Sequence, residues 1–252
     1  MRRFVALSCF AVWLASTPTF VASATIPFVR CPSDGQAGPA PAPKAKSIST
    51  TLPARFTSRL AIYQSANDLG ILAPRGWHCA NLYGANGWFT VISQELVTPS
   101  SLLGKDGLKP KRLRGSAIQL SFSNGETSGR FEVARLIARY FPDHRSMLQS
   151  VIAEKIRPAS DFPSGAYKDD QLVSQKADRV EVLTPPGREG LGTMSRLAAS
   201  SRPIHGVAAL IEPDESGHSY SSLVIVLRLS RDQEELAPVI LSWAERIYAG
   251  GK

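Results

Sequence analysis

The sequence predicts an α+β fold in which a mainly antiparallel sheet packs against helices as an α/β sandwich, closed by a C-terminal helix. Several segments alternate apolar and polar residues or form short apolar runs, and turn signals follow most of them, which is typical of antiparallel strands. Helical periodicity appears in the middle of the chain and again at its end. With 43% hydrophobic and 20% charged residues, the composition is that of an ordinary globular protein.

The N-terminus has the pattern of a secretory signal peptide. Two arginines open it, an apolar run covers residues 4–14, and residues 22–24, Ala-Ser-Ala, form a small-x-small cleavage site. We therefore predict a signal peptide over residues 1–24, cleavage after Ala24, and a periplasmic or secreted protein. No other stretch has the ~20 apolar residues of a membrane span, so no span is predicted.

Residues 25–54 are predicted to be an N-terminal anchor followed by a proline-rich linker. The anchor, residues 25–31, is short and apolar and should dock on the body of the protein. Residues 32–54 hold five prolines and almost no large apolar side chains, a composition that disfavours packing. Residues 55–252 are expected to form a single α+β domain.

Two cysteines, Cys31 and Cys79, follow the predicted cleavage site. In an oxidising compartment such a pair is expected to form a disulfide, which here closes a loop of roughly 48 residues. The alternative is a Cys79 nucleophile activated by His78, but adjacent residues on a strand point to opposite faces.

A β-hairpin is predicted at the point around which the chain is organised. Residues 77–83 and 88–92 form its strands, and residues 84–87 its turn, because Asn-Gly favours the positive φ angles of tight turns. The hairpin also supplies candidate binding side chains: Arg75, Trp77, His78, Tyr83 and Trp88. Such aromatic residues stack on sugars or peptides, although filling the core is their commoner use.

The remaining elements follow from periodicity. Strands are predicted over residues 60–63, 116–122, 179–184, 204–211 and 223–229, the last of them central because its apolar run has no alternation. Residues 99–111 and 158–178 are expected to be loops, and residues 190–195 a tight turn.

Three helices are predicted from apolar residues spaced three and four apart. The first covers residues 131–140, and its Glu132, Arg135 and Arg139 are interpreted as a solvated face instead of a binding patch. The second runs from a cap at Asp143 to residue 156. The third follows a Ser230 to Gln233 capping box near the C-terminus.

Three short segments resemble a family of uncharacterised exported proteobacterial proteins: Arg75-Gly76-Trp77-His78-Cys79, Tyr83-Gly84-Ala85-Asn86-Gly87 and Gly190-Leu191-Gly192-Thr193. The similarity covers most of the chain after the signal, and since the family has no known activity, it implies none. The order of elements is also similar to the sandwiches of the photosystem-associated PsbP and nuclear-transport Mog1 proteins, a fold analogy that says little about function.

No catalytic residue, metal site or cofactor is predicted. The histidines lack metal-ligand spacing, although His205 and His218 could meet across a late hairpin beside Asp214 or Glu215. Residues 190–195 lack both the lysine of a P-loop and the spacing of a dinucleotide fingerprint.

Charge limits the classes of partner. Removing residues 1–24 from a chain with 29 basic and 21 acidic residues leaves a net charge of about +6. A mildly basic solvated surface accounts for this charge, and the alternative is weak attraction to anionic envelope surfaces. The basic residues are scattered and form no known motif, so no nucleic-acid partner is predicted.

The sequence therefore favours a non-catalytic exported envelope protein that binds or supports an unknown envelope component or protein. Two alternatives stay open. One is a periplasmic hydrolase whose site the sequence does not reveal, and the other is an immunity or inhibitor protein that acts against a secreted toxin.

Overall fold

The computed structural model describes residues 21–44, 47–104, 109–213 and 219–249. These residues form twelve strands and five α-helices, so the α+β class is confirmed. Within the described ranges, no helix is long and apolar enough to cross a membrane.

The elements have the following bounds. The strands are β1 Val21–Arg30, β2 Ser33–Gly35, β3 Ser47–Pro53, β4 Leu60–Gln64, β5 Ile71–Pro74, β6 His78–Gly84, β7 Gly87–Ser93, β8 Ala117–Ser123, β9 Gln171–Gln175, β10 Arg179–Thr184, β11 Ile204–Ile211 and β12 Ser221–Arg228. The helices are α1 Ala54–Thr57, α2 Pro99–Leu103, α3 Arg130–Tyr140, α4 Arg145–Ala153 and α5 Ala237–Ala249. Single 3-10 turns cover Pro142–His144, Ala159–Asp161, Leu191–Thr193 and Glu234–Leu236.

The strands form two sheets. The larger has eight strands in the order β2-β6-β7-β8-β12-β11-β10-β9, and the smaller has four in the order β3-β1-β4-β5. All neighbours are antiparallel apart from β2 with β6 and β1 with β4. Strand β12 lies between β8 and β11, which confirms the central position predicted from its unbroken apolar run.

The eight-stranded sheet is covered on both sides. Its inner face, represented by Leu120 and Ile225, packs against the four-stranded sheet and α5, where Leu72 and Trp243 belong to the same core. Its outer face is covered by α3, α4 and residues 190–197. Burial of these apolar side chains from water on two sides is the main force that assembles the layers.

The predicted hairpin is formed by β6 and β7. Their register runs from His78 opposite Ser93 to Gly84 opposite Gly87, which leaves a two-residue turn. Of the predicted Asn-Gly pair, only Gly87 has a positive φ, at 135°. A Cβ on Gly87 would lie 2.0 Å from the carbonyl oxygen of Phe122, so the approach of β8 also requires glycine here.

The N-terminal segment takes part in both sheets. Strand β1 pairs with β3 and β4, and after Cys31 the chain enters the other sheet as β2. Residues 32–54, which the sequence predicts to be a linker, therefore contain β2 and β3. Backbone hydrogen bonds to β6 and β1 order this segment although it has few large apolar side chains.

The disulfide between Cys31 and Cys79 is present, with the Cα atoms 5.1 Å apart. It joins the end of β1 to β6 and therefore connects the two sheets. Both cysteines are buried in the core, so Cys79 is not available as the nucleophile of the alternative interpretation.

The predicted signal cleavage site lies inside β1. Residues 21–24 pair with residues 50–53 of β3, and Ala24 lies opposite Thr50. Residues 1–20 lie outside the described part of the chain. Cleavage after Ala24 would remove four of the seven residues that β1 pairs with β3.

Two predicted loops contain regular structure. Residues 99–111 include α2, which Thr98 begins by accepting a hydrogen bond from the Ser101 amide at 3.2 Å. Residues 158–178 include β9, an edge strand whose five residues are all exposed. Because β9 has no buried face, it shows none of the alternation by which strands are recognised.

Two predicted helices begin or end elsewhere. The 3-10 turn at Pro142–His144 contains Asp143, so Asp143 does not cap α4, which starts at Arg145 and ends at Ala153. The hydroxyl of Ser230 donates to Gln233 at 2.8 Å, but α5 starts only at Ala237, with Pro238 in its first turn. The sequence also predicts that Gly250 and Gly251 end this helix, and both lie outside the described residues.

A buried carboxylate links the two sheets. Asp68 follows β4, is 7% exposed, and accepts hydrogen bonds from Ser65, from the Gly70 amide and from Thr90 of β7. Burial and the charge of Asp68 raise the pKa of Tyr248, whose hydroxyl contacts the same loop. The network thus fastens the β4–β5 loop to both β7 and α5.

Candidate functional site

A cavity of about 210 Å³ lies between the outer face of the eight-stranded sheet and α3. Its lining mixes hydroxyl, amide, guanidinium, carboxylate and apolar groups: Gln119, Ser121, Ser123, Glu132, Arg135, Leu136, Arg139, Tyr167, Leu191, Met194, Ser195, Ser222, Val224 and Val226. We call it the serine–arginine cavity.

Serines from two neighbouring strands form the floor of this cavity. Ser121 and Ser123 are two residues apart on β8, so they share a face, and Ser123 lies directly opposite Ser222 of β12. The hydroxyl of Ser121 accepts a hydrogen bond from the side-chain amide of Gln119 at 2.7 Å. The hydroxyl proton of Ser121 can therefore be donated to a ligand. This sheet face therefore presents hydroxyl donors to the cavity.

Helix α3 supplies the opposite wall. Glu132, Arg135, Leu136 and Arg139 follow the three-and-four spacing that places residues on one side of a helix. Arg135 forms an ion pair with Glu132, while the guanidinium carbon of Arg139 lies 3.6 Å from the ring centre of Tyr167. Two guanidinium groups thus face the serines, and one of them has no carboxylate partner among the described residues.

A further pair of arginines lies close to the turn whose residues Met194 and Ser195 line the cavity. Arg196 follows the lining residue Ser195, and its guanidinium carbon lies 5.4 Å from the ring centre of Phe89. Burial lowers the pKa of Arg196, and the nearby positive charge of Arg112 lowers it further. In the part of the chain that the structure describes, neither arginine pairs with a carboxylate. Two neighbouring cations without a carboxylate partner favour an anion near this turn.

One carboxylate holds the end of the cavity in place. Asp170 accepts hydrogen bonds from the Tyr140 hydroxyl at 2.9 Å, the Thr184 hydroxyl at 2.6 Å and the Leu191 amide at 2.9 Å. Burial and the charge of Asp170 raise the pKa of Tyr140. These bonds join α3, β10 and the turn that carries Leu191, so the cavity wall is built from three fixed elements.

The glycines of that turn serve packing, in line with the predicted tight turn. A Cβ on Gly190 would lie 1.9 Å from an Asp170 carboxylate oxygen. The amide of Gly192 donates to Thr184 at 3.1 Å, and Asp170 already occupies the amide of Leu191. The backbone donors that a phosphate loop would need are therefore used within the protein.

The five predicted binding residues do not form one site. At one end of the hairpin, Arg75 donates to the carbonyls of Leu60 and Thr57, Trp77 is buried in the core, and His78 is exposed.

At the other end of the hairpin, Tyr83 donates to the carbonyl of Gly38 at 2.6 Å. Trp88 stacks on Phe122 with ring centres 5.9 Å apart. Within the structure, these aromatic residues therefore serve mainly packing and the attachment of the N-terminal segment.

The sequence does not single out these serines, and its helical periodicity predicts a solvated face for Arg135 and Arg139. The residues Gln119, Ser121 and Ser123 do alternate with apolar residues, but a polar strand face ordinarily indicates solvent. Only the packing of α3 over this face, which involves residues distant in sequence, turns it into a cavity.

A second cavity of about 510 Å³ lies between β9–β11 and α5. In it, Nε2 of His205 lies 2.7 Å from Glu234, and Arg179 pairs with Glu245. Ser242 also lines this cavity, but no hydrogen bond among the described residues joins it to His205. The arrangement is therefore not a Ser-His-acid triad.

No group of three or more potential metal ligands occurs among the described residues. The hypothetical partners of His205 in a late-hairpin metal site, residues 214–218, lie outside the described residues. His205 itself contacts Glu234 on the face of the eight-stranded sheet that packs against α5, whereas α3 covers the other face.

Comparison with protein families, curated proteins and solved structures finds no match for this chain. The resemblance to exported proteobacterial proteins and the fold analogy with PsbP and Mog1 therefore remain predictions from the sequence.

Proposed function

We propose that this chain is a non-catalytic, exported envelope protein that binds a small organic anion in the serine–arginine cavity. The observation that carries the proposal is the opposition of serine hydroxyls on β8 and β12 to Arg135 and Arg139 on α3, which line the same cavity. Hydroxyl and guanidinium groups are the donors that bind carboxylate or phosphate groups in proteins.

The apolar part of the lining suggests what else the ligand carries. Leu136, Leu191 and Val224 lie in the same cavity as the polar groups, so one part of the ligand is expected to be uncharged. At about 210 Å³ the cavity is smaller than the roughly 300–1,000 Å³ of sites for drug-sized ligands. A single acidic sugar or a similarly small acid fits this combination.

The chemistry of the lining supports binding over hydrolysis. Among its residues, the one carboxylate is Glu132, which pairs with Arg135, and none is a histidine or cysteine. A hydrolase would need a general acid and a general base placed around the ligand. In place of such an acid and base, a ligand in this cavity contacts hydrogen-bond donors and apolar groups.

The binding test compares glucose 6-phosphate, glucuronate and neutral glucose by calorimetry. We expect the two anions to bind and glucose not to bind. Changing both Arg135→Gln and Arg139→Gln should weaken anion binding at least about 100-fold, since each charge-assisted hydrogen bond contributes about 1.5–3 kcal/mol.

The matched control is Arg246→Gln, an exposed arginine of α5 on the far side of the sheet. It should leave anion binding unchanged. Equal binding of glucose, or an equal loss in the control variant, would contradict the proposal.

Export is tested separately, by sequencing the N-terminus of the protein recovered from cells. Cleavage after Ala24 predicts a chain that begins at Thr25 and is released with the periplasmic fraction. Recovery of the intact Met1 form from the cytoplasm would count against export, and it would leave the anion-binding result unaffected.

A further inference from the structure

Strand β9, at one edge of the eight-stranded sheet, is unusually exposed. All five residues of β9 are exposed, and the two large apolar ones, Leu172 and Val173, keep 52% and 58% of their surface accessible. Among the described strands, only β10 pairs with β9. An exposed apolar edge strand offers free backbone donors and acceptors to another strand.

The opposite edge of the same sheet is protected. There β2 is only three residues long, and Ala40 forms a bridge to Ser33 on its outer side. Short and covered edges are the usual defence against pairing between chains. The difference between the two edges singles out β9 as the one suited to a partner.

One residue of β9 has no pairing partner on β10. Val182 lies opposite Leu172 and Glu181 lies opposite Ser174, so Val173 is an extra residue with no counterpart on β10. The extra residue of a bulge is not paired within its own sheet. Its exposed side chain lies at the second cavity, which Val173 also lines.

We propose that β9 pairs with β9 of a second copy of this chain, in antiparallel orientation, and joins the two sheets into one. The charges that flank the strand support this partner. Asp169 precedes β9, Lys176 follows it, and neither side chain has an ion pair among the described residues. Antiparallel pairing brings each Asp169 towards Lys176 of the other copy, whereas parallel pairing would place like charges together.

The same arrangement covers the apolar centre of the strand. Leu172 and Val173 of both copies meet near the twofold axis, where a self-complementary surface is required. The main competitor as occupant is a lysine-rich peptide, whose cations would compete with Arg179 for Glu181 and Glu245 at the adjacent cavity.

The first test is sedimentation velocity of the full chain over a range of concentrations. We expect a monomer–dimer equilibrium that both Val173→Lys and Val173→Glu abolish, since each substitution places two like charges close to the twofold axis. A protein that stays monomeric at every concentration would overturn the proposal. So would a dimer that survives both substitutions, because it would use another surface.

The second test exchanges the flanking charges. Lys176→Asp and Asp169→Lys should each weaken self-association about tenfold, because each creates two repulsive contacts. Mixing the two variants should restore dimerisation, since the heterodimer pairs opposite charges at both ends. A mixture no tighter than either variant alone would overturn the antiparallel arrangement.

Val173 and Lys176 are exposed and do not line the serine–arginine cavity, so anion binding should be retained in the variants at these two positions. If Val173→Lys abolishes, and Val173→Glu preserves, binding of a lysine-rich peptide by a monomeric protein, the occupant of the edge is that peptide and the second copy is excluded.

Discussion

Removal of the disulfide, by Cys31→Ala with Cys79→Ala, is expected to lower the free energy of unfolding by about 4 kcal/mol. The bridge spans 48 residues, and in the chain-entropy model a loop of this length stabilises by about that amount through the unfolded state. Alanine is used because both sulfur atoms lie in the core, where a serine hydroxyl would add a separate burial cost.

Equilibrium unfolding in urea, with and without reductant, measures this effect. The native protein should lose stability on reduction, whereas the double-alanine variant should not respond, which makes it the control for unrelated effects of the reductant. Finding two free thiols in the denatured, unreduced protein after removal of residues 1–24 would show that the bridge does not form.

Replacement of Arg228 by methionine is expected to lower the free energy of unfolding by about 3 kcal/mol. Arg228 ends β12 and is only 1% exposed. Its guanidinium donates to the carbonyls of Gly115 at 2.8 and 2.9 Å, Leu113 at 2.8 Å and Ala198 at 2.5 Å. Burial lowers the pKa of Arg228, but these acceptors compensate its charge.

The expected loss comes from the carbonyl groups that methionine cannot satisfy. The carbonyl of Leu113 keeps a second donor in the Ala198 amide at 2.8 Å, whereas those of Gly115 and Ala198 would lose their donor at about 1–3 kcal/mol each. Arg228→Lys should recover part of the stability, since one ammonium cannot reach all three carbonyls. Arg246→Met, at an exposed position of α5, is the neutral control, and an equal loss in both methionine variants would contradict this account.

The parts of the fold that the sequence predicts are those with a buried face. Strands β10 and β11 have the bounds that their apolar patterns indicate, because burial on one or both sides imposes period two or an unbroken run. Strands β3 and β9 lack that signal, since one is rich in serine and threonine and the other is exposed throughout. Their existence depends on backbone pairing with residues far away in the chain.

The division into two sheets and the candidate site depend on contacts of the same long-range kind. The residues next to Ser121 and Ser222 in the sequence do not predict that α3 covers these serines. Likewise, the apolar strand that Arg228 ends does not indicate that three carbonyl groups surround its guanidinium. The alternation of apolar and polar residues predicts which residues share a face of each strand. Tertiary packing determines whether that face contacts solvent, the core or the cavity.

The position of β1 determines how much of the N-terminus is dispensable. Although it is the first described strand, β1 occupies the interior of the four-stranded sheet, with β3 on one side and β4 on the other. A chain shortened to residue 55 would lose that sheet's interior and one outer strand together, leaving β4 and β5 as a two-stranded ribbon over the exposed core. The N-terminal segment is thus a structural partner that the remainder of the chain cannot replace from its own residues.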